Sequence, residues 1–316
     1  MSTGGPGAAR PRRMTLLVNP ASGGRAGEQV AASAARRLLA HGVEVDVVAG
    51  RDAAEARARA AASVAAGADV LAVAGGDGMV HLALQEVAGT GTALAVLPCG
   101  TGNDFARVLG IPRTDPTAAA EVLLGGHRRR LDLGRCTERS GAAPASRWFA
   151  TVVTSGFDSL VLERANRMTW PRGQARYRLA VLAELGVLRP RAFTLEVDGR
   201  REELEATLIA VGNTTTYGGG MPICPHAVPD DGLLSVTVVP ALTRARLVRS
   251  FPLMQRGAHV ERPNVRTFHA RSVALDTPDM LATADGEPLG RLPVAVEAVP
   301  GAVDVIVPAP VVGAGD

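Results

Sequence analysis

Apolar residues in the first 130 or so positions fall into short unbroken runs, separated by segments in which they recur at helical spacing. Short runs of this kind read as buried strands, and the periodic segments read as helices. Thr15 to Asn19, Val43 to Val48, Val70 to Ala74 and Thr92 to Leu97 are the strands. Helices are predicted from about Gly27 to His41, from an Asp52 cap to Ala66, and from Gly78 to Val87. Strands alternating with helices imply a parallel sheet covered on both faces.

The pattern changes near Leu131. Strands at Leu131 to Cys136 and Trp148 to Thr154 flank a polar loop, and helices follow at Phe157 to Arg167 and Gln174 to Leu188. From Phe193 onward short strands dominate, among them Leu204 to Val211, Leu233 to Val239, Met280 to Ala284, Val294 to Val299 and Val303 to Val307, with one helix at about Arg244 to Arg256. Many short strands joined by Asp-Gly turns imply an antiparallel sandwich. The expected fold is therefore α/β, a three-layer α/β domain at residues 14–134 followed by a β-rich antiparallel sandwich at 135–308, with a flexible tail at 1–13 and another tail at 309–316.

Composition narrows the chemistry. The chain of 316 residues is 47% hydrophobic and 21% charged, and no apolar run reaches the ~20 residues that a membrane span needs. It contains no lysine, which excludes a P-loop and any lysine nucleophile or Schiff base. A net charge of +3 with 3% aromatics argues against nucleic acid as a partner. The start of the chain lacks the long apolar segment of a signal peptide, and Cys99, Cys136 and Cys224 lie far apart without zinc or redox spacing, so a reducing cytoplasm is expected.

Three strand-to-helix turns carry the candidate chemistry: Asn19-Pro20-Ala21-Ser22-Gly23, Gly75-Gly76-Asp77-Gly78, and Cys99-Gly100-Thr101-Gly102-Asn103-Asp104. Strands of one parallel sheet present such turns at one edge, where α/β proteins bind ligands, and glycine turns before helix N-termini suit phosphate. Asp77 either caps the helix beginning near Gly78 or meets phosphate through a cation, and one of Asn103 and Asp104 is assigned a capping role. In the second half, Asp230 and Asp231 suit either a cation or a turn. Asp285-Gly286-Glu287 reads by pattern as a β-turn only.

Taken together, V-N-P-A-S-G at 18–23, G-G-D-G at 75–78, L-P-C-G-T-G-N-D-F-A-R at 97–107, the Gly218 to Leu234 stretch ending in D-D-G-L-L, and D-G-E at 285–287 resemble the diacylglycerol kinase catalytic family. The resemblance spans nearly the whole chain, and the likeness is to bacterial soluble lipid kinases related to sphingosine and NAD kinases. It implies a nucleotide-binding first domain with ATP held by Asn19, Pro20, Ala21, Ser22, Gly23, Gly75, Gly76, Asp77, Gly78, Met79, Val80, His81, Thr101 and Arg107. It further implies Glu287 as proton acceptor, Asp77 and Asp104 in a metal and water network at the phosphates, and a magnesium site at the Asp231 side chain and the Val228 and Leu233 carbonyls. Three positions depart from the family pattern. Met79 and His81 stand where relatives carry threonine and asparagine, so that any phosphate contact at Met79 must come from its backbone N–H, and Val47 stands where relatives often offer a threonine.

The expected function is an ATP- and magnesium-dependent lipid kinase acting on a hydroxyl of diacylglycerol or a related lipid, cytoplasmic and peripheral at the inner face of the membrane. The alternatives are an NAD kinase-like enzyme with a soluble substrate and a non-catalytic nucleotide or lipid sensor. The sequence leaves the acceptor lipid and the oligomeric state open, a homodimer included.

Overall fold

The computed structural model describes residues 11–18, 25–139, 145–171 and 174–310. The chain divides into two compact units, Met1–Leu131 with Gly301–Asp316, and Asp132–Pro300.

The first unit runs β1 (Arg13–Val18), α1 (Arg25–Ala40), β2 (Glu44–Ala49), α2 (Ala53–Ala65), β3 (Val70–Gly75), α3 (Asp77–Val87), β4 (Ala93–Pro98), α4 (Asp104–Val108) and α5 (Pro116–Gly125). Its sheet is parallel in the order β2, β1, β3, β4, and the chain returns after Gly301 to lay Val305 beside Leu94 on the outer side of β4. Every residue of β3 and β4 is buried, as expected of central parallel strands covered on both faces. Met14, Leu16, Val70, Ala72, Ala95 and Leu97 pack on one face against α1 and α5. Alternate positions such as Leu71, Val73 and Val96 are buried on the other, where α2 and α3 lie.

Asp52 caps α2 as its position predicts, accepting the Glu55 N–H at 2.8 Å. Helix α5 has no counterpart in the hydrophobic pattern, yet its local signals are present. Asp115 caps it, Pro116 stands at its first turn, and Gly126 closes it at φ 63°.

β5 (Arg128–Glu138) carries the chain into the second unit, which continues with β6 (Ser146–Phe149), β7 (Val152–Gly156), α6 (Phe157–Arg167), α7 (Gln174–Gly186), β8 (Arg191–Val197), β9 (Arg200–Gly212) and β10 (Leu234–Pro240). Next come α8 (Arg244–Met254), a 3-10 turn at Ala258–Glu261, β11 (Arg266–Ala270), β12 (Ser272–Asp276), β13 (Leu281–Ala284), β14 (Glu287–Arg291) and β15 (Val294–Ile306). Strand pairing here is antiparallel, with β9 joined to β8, β7 and β10. Phe149, Phe193, Leu195, Ile209, Val236, Leu275 and Val294 fill the sandwich core. A second cluster, including Leu247 and Met254 of α8, packs with Leu185 and Leu188 of the α7 region.

Two expectations change. The strand predicted from Trp148 to Thr154 is broken at Ala150 and Thr151, because both amides donate to the distant Asp285 carboxylate at 3.2 and 3.0 Å and leave the ladder. The strands predicted at 294–299 and 303–307 are one strand, β15, which continues through Pro300 and Gly301. Among the described residues no helix is long and apolar enough to cross a membrane.

Candidate active site

In the first unit, β3 and β4 end in register, Gly75 beside Pro98, so their turns lie side by side at the carboxyl edge of the sheet. The Cys99 N–H donates to Gly75 O at 2.9 Å and ties the turns together. Beyond it the backbones of Gly76 and Gly100 meet. A Cβ on Gly100 would stand 2.5 Å from Gly76 Cα, and one on Gly76 would stand 3.1 Å from Gly100 Cα. At Gly100 no side chain beyond hydrogen fits unless backbone moves, and at Gly76 one would be tight.

Asn103 occupies the left-handed region at φ 52° and folds its amide back onto the turn. Its Oδ1 accepts from Gly100 N at 3.1 Å and its Nδ2 donates to Gly100 O at 2.7 Å. It makes no side-chain cap bond to α4. Asp77 supplies one instead, since its Oδ1 accepts the Phe105 N–H at 3.3 Å across the two turns. Asn103 thus stands at the N-cap of α4 as one of the two candidates was expected to, without a side-chain bond to the helix, and of the two readings of Asp77 the cap on its own helix is not made. Helix α3 begins at Asp77, its N-cap Gly76 makes no side-chain bond, and the carboxylate serves the neighbouring helix.

Asp104 is buried at 5% exposure, with Arg107 Nε 3.9 Å from its Oδ1. Thr101 is exposed on the turn. Met79, Val80 and His81 are buried in α3, and the Met79 side chain fills the space beside Gly75, where a Cβ would stand 2.6 Å from its Cγ. The Met79 N–H donates to Gly76 O at 3.0 Å, so the amide through which phosphate contact at this position was expected is engaged in the first helical turn. Val47 is half exposed on the edge strand β2. Asn19, Pro20, Ala21, Ser22 and Gly23 lie outside the described residues.

In the second unit, Asp285 and Gly286 form the two-residue turn between β13 and β14, at φ 54° and 83°, the signature of a type I′ hairpin. The Asp285 carboxylate accepts from Ala150 N, Thr151 N and the Thr151 hydroxyl, which fastens the hairpin tip to the start of β7. Glu287 opens β14 from this anchored turn and is exposed. Sequence reasoning missed the anchor, since the partners of Asp285 are more than 130 positions away.

The loop from Val228 to Leu233 is also organised by an aspartate. Buried Asp132 accepts Gly232 N at 2.6 Å, and its own N–H donates to Pro229 O at 2.8 Å. Asp231 is exposed, and its Oδ1 accepts Leu233 N at 2.9 Å. Among the described residues no group of three His, Cys, Asp or Glu side chains is placed to hold a metal, so an ion on this loop would depend on backbone carbonyls beside Asp231.

One further carboxylate was missed. Asp158, in the first turn of α6, accepts the Tyr217 hydroxyl, and burial pushes its pKa up to about 6 against the lowering effect of that bond. Burial first, then the nearby Asp158 charge, raises the phenols of Tyr217 and Tyr177 as well. Its signal in the sequence is Gly156-Phe157-Asp158, a glycine with an aspartate close behind at a strand-to-helix turn, as at Gly76-Asp77.

Residues 13–136 match the family described as diacylglycerol kinase catalytic domain, and residues 151–307 match the YegS C-terminal NAD kinase beta sandwich-like domain. The chain is 46% identical over 297 residues to a protein of Mycobacterium tuberculosis named diacylglycerol kinase, covering 94% of this chain and 95% of that one. A diacylglycerol kinase of Bacillus subtilis is 27% identical over 286 residues, covering 89% and 92%. The crystal structure of a diacylglycerol kinase from Bacillus anthracis superposes with a TM-score of 0.70 at 21% identity, covering 95% of this chain and 98% of that one. Yeast NADH kinase in complex with NADH shares the fold at a TM-score of 0.53 and 9% identity, covering 95% and 84%.

Proposed function

The chain belongs to the diacylglycerol kinase catalytic-domain family, and from that premise we propose that it transfers the γ-phosphate of ATP to a hydroxyl of diacylglycerol or a related lipid at a membrane surface. The observation that carries this reading is the contact of Gly76 with Gly100, where two turns close on each other without side chains. Backbone bare of side chains at the carboxyl edge of a parallel sheet, at the start of α3, is suited to phosphate oxygens.

In the proposed reaction the residues Asn19, Pro20, Ala21, Ser22 and Gly23, the turn at Gly75 to Gly78 and Thr101 hold the nucleotide. Arg107, held beside Asp104, is the fixed cation near the phosphates. Because Met79, Val80 and His81 are buried and the Met79 N–H is bonded to Gly76 O, these three act by shaping α3. Glu287, exposed on its anchored hairpin, takes the proton of the acceptor hydroxyl as that oxygen bonds to the γ-phosphorus and the bond to the β-phosphate oxygen breaks, releasing ADP. Phosphoryl transfer demands positioning and charge neutralisation more than covalent participation, which suits a chain without lysine.

The residues fit magnesium by the chemistry of their donors. Asp231 with the Val228 and Leu233 carbonyls is an all-oxygen set on a loop held by Asp132, and Asp77 and Asp104 are carboxylates at the phosphate turns. At Asp77 and Asp104 an ion would neutralise phosphate charge, and the Asp231 loop would hold a separate ion within the second unit.

The test is transfer of labelled γ-phosphate from ATP and magnesium to a panel of diacylglycerol, ceramide, sphingosine, phosphatidylglycerol and NAD. Labelled lipid is expected, with a loss of about a hundredfold or more in Glu287→Gln while ATP still binds, and a loss in Asp77→Ala. Labelled NAD with no labelled lipid would replace this reading by a soluble-substrate kinase. ATP binding without any product would replace it by a sensor.

A further inference from the structure

Helix α7 is apolar on both of its long sides. On the inner side Ala180 packs against α6 and Leu185 against the cluster that α8 shares, while Glu184, the one carboxylate of the helix, is buried in an ion pair with Arg164. The opposite side carries Ala175, Leu179, Leu182 and Gly186, which follow one another by four, three and four residues and so form a single stripe. All four are exposed, Leu182 to 64%. A helix apolar all round belongs in an interior, yet no described part of the chain covers this stripe.

Two neighbours extend it. Trp170, in the turn between α6 and α7, is 78% exposed. Helix α8 lies in the same layer, because its Leu247 and Met254 share a cluster with Leu185 and Leu188 that rests on Leu208 and Ala210, alternate residues on one face of β9. Both helices therefore turn away from the sheet on the same side, and α8 adds the exposed Val248 and Phe251.

Charge says what covers this face. From Thr243 to Val260 the sequence holds four arginines and no Asp or Glu, and from Arg164 to Arg191 it holds seven arginines against Glu184 alone. Large exposed apolar side chains among cations, with an indole in the connecting turn, suit a bilayer with anionic headgroups, since the apolar groups enter the acyl boundary and arginine stays with the headgroups. That charge is spread over the lipid surface, so no fixed guanidinium geometry is required. A second copy of the chain suits the face less well. A two-fold contact would set the arginines of one copy against those of the other, and neither α7 nor α8 offers an exposed carboxylate to meet them.

We propose that the outer face of α7, with Trp170 and α8, is the surface by which this protein docks on an anionic membrane. The inference deepens the proposed reaction and rests on it for the acceptor that makes a membrane necessary. Glu287 belongs to the same unit as the docking face.

Flotation of the full chain with vesicles, without nucleotide, reads docking apart from catalysis. Vesicles of phosphatidylglycerol mixed with phosphatidylcholine are expected to bind the protein at least about tenfold more tightly than phosphatidylcholine alone. Leu179→Gln with Leu182→Gln should weaken binding to the mixed vesicles by at least about tenfold, and Arg246→Gln with Arg249→Gln by about tenfold, the arginine effect shrinking as salt is added. All four positions are exposed, so the melting temperature should hold. In a Trp148→Phe background Trp170 is the sole tryptophan, and its emission should shift to the blue on mixed vesicles. The leucine variant should also keep its rate on a monomeric short-chain diacylglycerol and lose it on vesicles. Mixed-vesicle binding without phosphorylation of any lipid would remove the reaction and leave the docking face standing. No vesicle binding, an unshifted Trp170 emission, or a leucine variant that binds as the wild type does would each overturn the docking face, as would a dimer that the leucine substitutions dissolve while vesicle binding is unmoved.

Discussion

The glycine turns of the first unit and the Glu287 hairpin of the second solve one problem in opposite ways. Each must hold a short piece of chain in a fixed place. At Gly76 and Gly100 the means is absence of side chain, so that backbone meets backbone. At Asp285 the means is a side chain, whose carboxylate gathers two amides and a hydroxyl from the start of β7. The first device is steric and tolerates no added atom. The second is a set of hydrogen bonds and weakens by degrees. The two therefore fail differently under substitution.

The sharpest test of the contrast is Gly100→Ala. The new Cβ would stand 2.5 Å from Gly76 Cα, and that neighbour is backbone, so the two turns must part. A loss of about 1–3 kcal/mol in stability, together with loss of ATP binding, is expected in thermal unfolding and nucleotide titration. A variant that keeps wild-type ATP affinity would show that the contact is mere packing.

Asp285→Ala follows in size. It strips the Ala150 and Thr151 amides of their partner and frees the hairpin tip, so kcat should fall about tenfold while KM for ATP stays constant. Asp285→Asn, which retains an acceptor oxygen, should recover part of the rate. If the rate falls only in step with melting temperature, Asp285 holds the fold and does not position Glu287.

Asp158→Asn gives the smallest effect and is read against pH. Burial raises the Asp158 pKa from an ordinary 3.8 to about 6 in the folded protein. A raised folded value means that its contribution to stability is present below about 3.8 and is lost as pH rises through about 6. Melting temperature of the wild type should therefore carry a downward component over that window, and Asp158→Asn should flatten it. An unchanged slope would show that the carboxylate titrates as it does in the unfolded chain.

What the sequence disclosed follows the range of the forces involved. Strands β1, β3 and β4, the Asp52 cap and the alignment of the turns after β3 and β4 at one edge are written in neighbouring residues, and the pattern reads them correctly. Helix α5 was legible too, in Asp115-Pro116 and Gly126, although its Ala- and Leu-rich stretch gave no clear periodic face. The break between β6 and β7 was not legible, because it is made by a carboxylate far along the chain. Asp77 shows the same limit at closer range. Its neighbours mark it as a cap for its own helix, and only the register of β3 against β4 brings Phe105 within its reach. The buried state of Met79 and His81 was hidden for a related reason, as the motif names the positions without saying which way α3 is turned.

The return of the chain to β4 sets an order on synthesis. When β4 leaves the ribosome, its inner edge can pair with β3 at once, but the partner for Leu94 on its outer edge is Val305, and everything from Cys99 to Pro300 must be made first. Until then a strand of six buried residues keeps one open edge, a template for pairing with another nascent chain. Translation that stalls inside the sandwich thus leaves the nucleotide half unfinished and adhesive, so a strand made only after the sandwich seals the first half of the protein.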